Sequence, residues 1–176
     1  RRVPLTNLSS RIRHIEVTSY MEVVLAPLNA DLAHRAFSNL FVQTEILPER
    51  QAILCTRRRR TPEEKVTWMF HLLASPGVVA DEPSYETDRN KFIGRGRTTA
   101  NPLVLDRSHD AAYLTKRVSN TDGSVLDPIV AIRRTISLSA DESAILQIIS
   151  GVAETREAAL ALIDKYCDRH FVERAF

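Results

Sequence analysis

Cysteine, glycine and tryptophan are scarce in this chain, and no apolar run approaches the length that crosses a membrane. Two cysteines in 176 residues, Cys55 and Cys167, are too few for a disulfide framework and lack the paired spacing of a zinc site. A reducing compartment is the default that follows. His14, His34, His71, His109 and His170 are scattered, with no pair spaced to share a helix face, so a metal centre is not expected. The five glycines form neither a phosphate loop nor a nucleophile elbow, and Gly94-Arg95-Gly96 alone does not make a nucleotide site. An excess of either charge is missing too: 24 basic residues face 22 acidic ones, for a net charge of +2. Nothing global recommends a nucleic acid or an anionic membrane as partner, so any charge-based function must be local. The opening Arg1-Arg2-Val3-Pro4 is followed by no signal-peptide core.

What is present is an ordinary globular composition, 44% hydrophobic and 26% charged, at a length that suits one domain. Most of the chain alternates with the period of two that marks half-buried strands. Across 11–26, Ile15, Val17, Ser19, Met21, Val23 and Leu25 fall on one side, and His14, Glu16, Thr18, Tyr20, Glu22 and Val24 on the other. Thr6-Asn7-Leu8-Ser9-Ser10 supplies turn chemistry between this strand and a short one at 3–5, which predicts an antiparallel hairpin. The pattern breaks over 27–36, read as a loop with at most a helical turn, and strand character resumes over 37–47. Pro48-Glu49-Arg50 then turns the chain into the next strand of a meander, 51–58.

Residues 66–73 alternate again, with Val66, Trp68, Phe70 and Leu72 opposed to Thr67, Met69, His71 and Leu73. Flanked in this way, Trp68 reads as a core residue rather than a platform for a sugar. The 111–118 stretch is ambiguous between strand and helix. Two more strands, 129–138 and 144–149, are joined by Ser139-Ala140-Asp141-Glu142, with Ile132, Ile136 and Leu138 on one face of the first. Beyond Thr155, which has N-cap chemistry, Ala158, Ala159, Leu162, Ile163 and Tyr166 recur at helical spacing.

Two charged stretches stand out. Arg57-Arg58-Arg59-Arg60 invites a nucleic-acid reading, but in a strand these side chains point alternately to both faces, and Pro62-Glu63-Glu64 follows with compensating acids. A solvated hairpin end is expected there. The second stretch, Tyr85-Glu86-Thr87-Asp88-Arg89-Asn90-Lys91-Phe92-Ile93-Gly94-Arg95-Gly96-Arg97, lies in a long insert, 81–110, and reads as an ordered surface loop of the kind that carries binding residues. Glu86 and Asp88 share a side of an extended chain, so they cannot flank a glycosidic bond and are read as partners of Arg89, Arg95 or Arg97. The same residues also allow a solvated loop held by its own ion pairs. Asn7-Leu8-Ser9 is a formal glycosylation triplet, which counts for little beside this cysteine usage.

Several of these blocks, taken in order, carry a resemblance. Glu16-Val17-Thr18-Ser19-Tyr20-Met21-Glu22-Val23-Val24-Leu25, Phe37-Ser38-Asn39-Leu40-Phe41-Val42, the 85–97 stretch and Gly151-Val152-Ala153-Glu154-Thr155-Arg156-Glu157-Ala158 together resemble cyclic β-1,2-glucan synthases. More loosely they resemble the cellobiose and chitobiose phosphorylases of glycoside hydrolase family 94, formerly glycosyltransferase family 36. The similarity runs over nearly the whole chain.

The resemblance implies a mainly β protein: an antiparallel β-sandwich of the supersandwich type over 1–152, followed by a C-terminal helix, 153–176, linking toward an (α/α)₆ catalytic barrel absent from this chain. Without an initiator Met, the chain is expected to be a piece of a longer protein, with an incomplete sandwich and an edge open to pairing. No catalytic residue, cofactor or metal is expected on it. Inorganic phosphate is implied as a co-substrate of the parent enzyme, a β-glucan or gluco-oligosaccharide as substrate, and a homodimer as assembly. The parent is expected on the cytoplasmic side of the bacterial inner membrane, anchored by segments not on this chain. Tyr85, Asp88, Arg89, Arg95 and Arg97 are the candidate substrate-binding residues, since a guanidinium can hydrogen-bond sugar hydroxyls or bind phosphate. The competing reading is structural: a domain that braces the barrel and makes subunit contacts. Independent enzymatic activity lacks a catalytic constellation.

Overall fold

The computed structural model describes residues 1–106 and 118–167. The described strands are β1 (Arg2–Thr6), β2 (Arg13–Glu22), β3 (Val42–Leu47), β4 (Ala52–Arg57), β5 (Trp68–Ala74), β6 (Ser84–Asp88), β7 (Pro128–Leu138) and β8 (Ser143–Ala153). They form a five-stranded sheet in the order β1-β8-β5-β4-β3 and a three-stranded sheet in the order β2-β7-β6, with every neighbouring pair antiparallel. The helices are α1 (Leu28–Asn39), α2 (Arg89–Ile93) and α3 (Arg156–Cys167). This is the mainly β, antiparallel sandwich with a C-terminal helix that the sequence predicts.

The period-two pattern assigns side chains to three layers. Val23, Val42, Ile53, Cys55, Met69, Leu73, Val130 and Ile132 fill the space between the sheets, and Ile136, Leu138, Ala144 and Leu146 extend this core toward the β1 end. Alternate residues of β4 and β5, namely Leu54, Phe70 and Leu72, face outward and pack with Ala159 and Ile163 of α3. The α3 stripe therefore lies on the five-stranded sheet. Thr155 Oγ1 accepts the Ala158 N–H at 3.1 Å, as an N-cap should, and the last turns are tied down by Arg50 to Asp164 at 2.7 Å. Ala158, placed on the apolar stripe by spacing, is exposed. Trp68, expected in the core, is half-buried and packs against the edge of the α3 cluster.

Three expectations are overturned. The 3–5 and 11–26 strands do not form a hairpin: β1 pairs with β8 in one sheet, and β2 pairs with β7 in the other. Asn7 makes the crossing possible. It is buried, its Nδ2 donates to the carbonyls of Arg11, Leu138 and Ser139 at 2.7, 3.0 and 2.8 Å, and its Oδ1 accepts from Ser9 N at 3.0 Å. The same bonds occupy the amide nitrogen that a glycan would need. Second, 28–39 is helical rather than a loop, so strand β3 begins only at Val42; α1 is kinked at His34, where φ is −151° and ψ is 71°. Third, 85–88 is not a surface loop but strand β6, with Tyr85, Glu86 and Thr87 all buried.

The arginine run is more engaged than a solvated hairpin end requires. Arg57 Nη1 and Arg58 Nη2 donate to the carbonyls of Ser38 and Leu40 at 2.7 and 2.9 Å, and the Arg57 and Arg60 guanidinium groups lie over the Phe41 ring. These side chains clamp the end of α1 instead of presenting a coherent basic face. The 111–118 stretch lies, except for Val118, outside the described residues.

Candidate functional site

β6 pairs with β7, with a register shift between Glu86 and Asp88 before the last pair, Asp88 opposite Pro128. The shift is stabilised by the Glu86 carboxylate, which is 1% exposed. Its Oε1 accepts the N–H groups of Thr87 and Asp88, each at 3.0 Å, and its Oε2 accepts from the Ser119 hydroxyl. A buried carboxylate supplied with several N–H and O–H donors is satisfied where it sits, so Glu86 holds the chain turn rather than doing chemistry. Asp88 then caps α2, accepting the Asn90 N–H at 2.8 Å. Its role within the chain is local.

α2 aims Arg89 across the end of β2. Arg89 Nε donates to Glu22 Oε1 at 3.1 Å, and its Nη1 lies 3.6 Å from Asp127 Oδ2. Arg35 of α1 donates to the other oxygen of Glu22, and Asn39 Nδ2 donates to Asp127 Oδ1 at 3.1 Å. Tyr20, packed on Phe92 of α2 with ring centroids 4.9 Å apart, completes the arrangement by donating to Glu22 Oε1 at 3.2 Å. Burial acts to raise the Glu22 carboxyl, but the hydrogen bonds from Arg35, Arg89 and Tyr20 outweigh it and hold that carboxyl below the ordinary carboxylate range. Burial opposes charge on Arg89 as well, and only the bonds to Glu22 and Tyr20 together with the nearby charges of Tyr20 and Asp127 outweigh it, leaving the guanidinium more firmly protonated than usual.

Glu22, Arg35, Asn39, Arg89 and Asp127 line a cleft of about 410 Å³ together with Ala36 and Leu126. Two arginines and two carboxylates make it neutral in sum, yet dense in donors and acceptors at fixed positions. Asn39 is 3% exposed and its Oδ1 has no partner among the described residues. A site of this kind suits a neutral ligand with many hydroxyls better than an anion, since both carboxylates already face the arginines.

The five sequence candidates are dispersed. Arg89 lines the cleft. Tyr85 points the other way, into the space between the sheets, where burial pushes its hydroxyl up to about 12. Arg97 is half-buried and bonded to Asp106, while Arg95 is exposed. Neither they nor Asp88 line the cleft. Glu22, Arg35, Asn39 and Asp127 belong to it without a shared motif in the sequence, because Arg35 and Asn39 lie on α1 while Glu22 ends β2 and Asp127 precedes β7. Asn39 alone left a signal, as a polar residue between Phe37 and Phe41.

Two packed antiparallel sheets with a helix on the outer face define the chain as a β-sandwich domain. It belongs to the glycosyl hydrolase 94 supersandwich family, matching that family over residues 1–169. It is also 36% identical over 166 residues, 94% of its length, to the cyclic beta-(1,2)-glucan synthase NdvB of Rhizobium meliloti (strain 1021). The chain spans 6% of that bacterial relative. Together these matches make it a carbohydrate-related domain, as the resemblance implies. Among the described residues no helix is long and apolar enough to cross a membrane.

Proposed function

We propose that this sandwich serves a cyclic β-1,2-glucan synthase-like protein by holding part of a glucan at the Arg89 cleft, while a catalytic barrel elsewhere in the parent transfers or phosphorolyses β-glucosyl units. The observation that carries this reading is the cleft itself, in a domain of a carbohydrate-related family: Arg89, Arg35, Glu22 and Asp127 fixed by mutual bonds around a space of about 410 Å³. Groups held in place before the ligand arrives lose little entropy on binding. Phosphate, where the parent uses it, is assigned to the barrel, because the cleft arginines are already paired with Glu22 and Asp127 and leave no net positive charge for an anion. The parent works at the cytoplasmic side of the inner membrane, anchored by segments outside this chain, and a dimer would let the cleft serve a neighbouring barrel.

The test is kinetic, in the intact enzyme. Arg89→Ala is expected to lower phosphorolysis or transfer about tenfold or more while the protein stays folded, on the scale of one lost hydrogen bond to a charged group. Unchanged kinetics would remove the cleft from function. A structural reading remains as the second one, favoured by the fact that Asp88, Arg89 and Arg97 are each tied to residues of their own chain. Under it the domain braces the barrel, and Arg89→Ala lowers stability without changing turnover of the enzyme that remains folded.

A further inference from the structure

A second cavity, of about 550 Å³, lies between the turn that joins β3 to β4 and the segment that leads into β6. Tyr85 and Arg134 form its buried side, and Glu49, Gln51, Asp81 and Glu82 also line it. It is distinct from the Arg89 cleft, with which it shares no residue.

The buried side of this cavity is incompletely satisfied. Arg134 is 7% exposed, its Nη1 donates to Gln51 Oε1 at 3.1 Å, and its Nη2 donates to the Asp81 carbonyl at 3.0 Å. Its Nε has no partner among the described residues. The Asp81 carboxylate is turned instead to the Thr135 N–H, at 2.6 Å. Tyr85 is 3% exposed, and its hydroxyl also has no partner among the described residues. Two polar groups that lack partners among the described residues, both in the lining of one cavity, are costly to bury unless something else completes them.

Charge decides what that could be. Among the described lining residues, the carboxylates of Glu49 and Asp81 already outnumber the one arginine, so a free anion would meet net repulsion. A neutral polyol would not. Each of its hydroxyls can donate to a carboxylate while accepting from Arg134 Nε–H or pairing with the Tyr85 hydroxyl, and the volume lies within the roughly 300–1,000 Å³ typical of small-molecule sites.

We propose that this cavity is a second carbohydrate subsite, taking a neutral glucosyl unit on the Tyr85 hydroxyl and Arg134 Nε. The choice of a glucosyl unit among neutral polyols rests on the carbohydrate reading above. The cavity itself does not.

The experiment is a titration of the isotope-labelled chain, followed residue by residue through its amide signals. One arm uses sophorose, the β-1,2-linked glucose disaccharide, and the other inorganic phosphate. Sophorose should shift Gln51, Asp81 and Glu82 saturably, and phosphate should not. Tyr85→Phe removes a hydroxyl that bonds to no described residue, so the fold should be retained while sophorose binding weakens about tenfold. Shifts confined to Glu22, Arg35, Asn39 and Asp127 would overturn this subsite and leave the Arg89 cleft standing. Shifts from phosphate alone, no shift at Gln51 and Asp81, or an unchanged Tyr85→Phe affinity would each overturn it as well. The Arg89→Ala kinetics decide the cleft independently.

Discussion

At the scale of single residues, buried polar groups do most to specify this sandwich. His71 lies between the sheets, 2% exposed, with Nδ1 2.8 Å from Ser150 Oγ and Nε2 2.9 Å from Ser19 Oγ. Burial pushes its imidazole down to about 4. Because the unfolded chain binds a proton near pH 6.5 and the folded one does not, stability is full above about pH 6.5 and falls as the pH drops toward 4. The loss should approach about 3 kcal/mol, an upper figure for one such group. Urea midpoints measured between pH 7 and 4 should show this slope in the wild type, and His71→Asn should flatten it. Equal slopes in the two proteins would mean that His71 accepts its proton in place. Cys55, pushed up to about 12 by the same burial, is inert packing. None of these roles could be read from the sequence, where His71 and Cys55 are ordinary members of alternating strands.

At the scale of elements, alternation made the strands legible but not their partners. β1 and β2 both alternate and are joined by good turn residues, so a hairpin is the economical prediction; the backbone and side-chain bonds of Asn7 to the β7–β8 turn, which period-two alternation does not show, help to send them to opposite sheets. α1 was missed because its apolar residues do not form a buried stripe: Leu28, Leu32 and Phe37 remain exposed. β6 was missed because its acids read as solvated, whereas Glu86 is paid for by donors from a segment thirty-three positions away. The pairing of β5 with β8 is more exacting. Gly151 sits opposite Phe70, and a Cβ there would come within 2.6 Å of the Phe70 ring, which is pinned under α3. Gly151→Ala should therefore destabilise by about 1–3 kcal/mol, measured by chemical denaturation, as overpacking of a closed contact does. A variant as stable as the wild type would show that the ring and helix can yield.

At the scale of the whole molecule, the sandwich, its closing helix and its carbohydrate affiliation were legible, since strand periodicity and several ordered motifs run the length of the chain. The site was only half legible. The 85–97 stretch contains Arg89, which reaches the cleft, but the backbone turns at Asp88 and sends Tyr85 to the other side of β6. The remaining cleft residues come from β2, α1 and the turn before β7, and only folding brings them together. The most direct measurement of the central claim is a structure of the intact enzyme with a β-1,2-linked gluco-oligosaccharide bound. A sugar hydroxyl is expected within hydrogen-bond distance of Arg89 or Asn39 in the cleft. An oligosaccharide seated wholly in the barrel, with the Arg89, Glu22 and Arg35 bonds unchanged and nothing in the cleft, would contradict it.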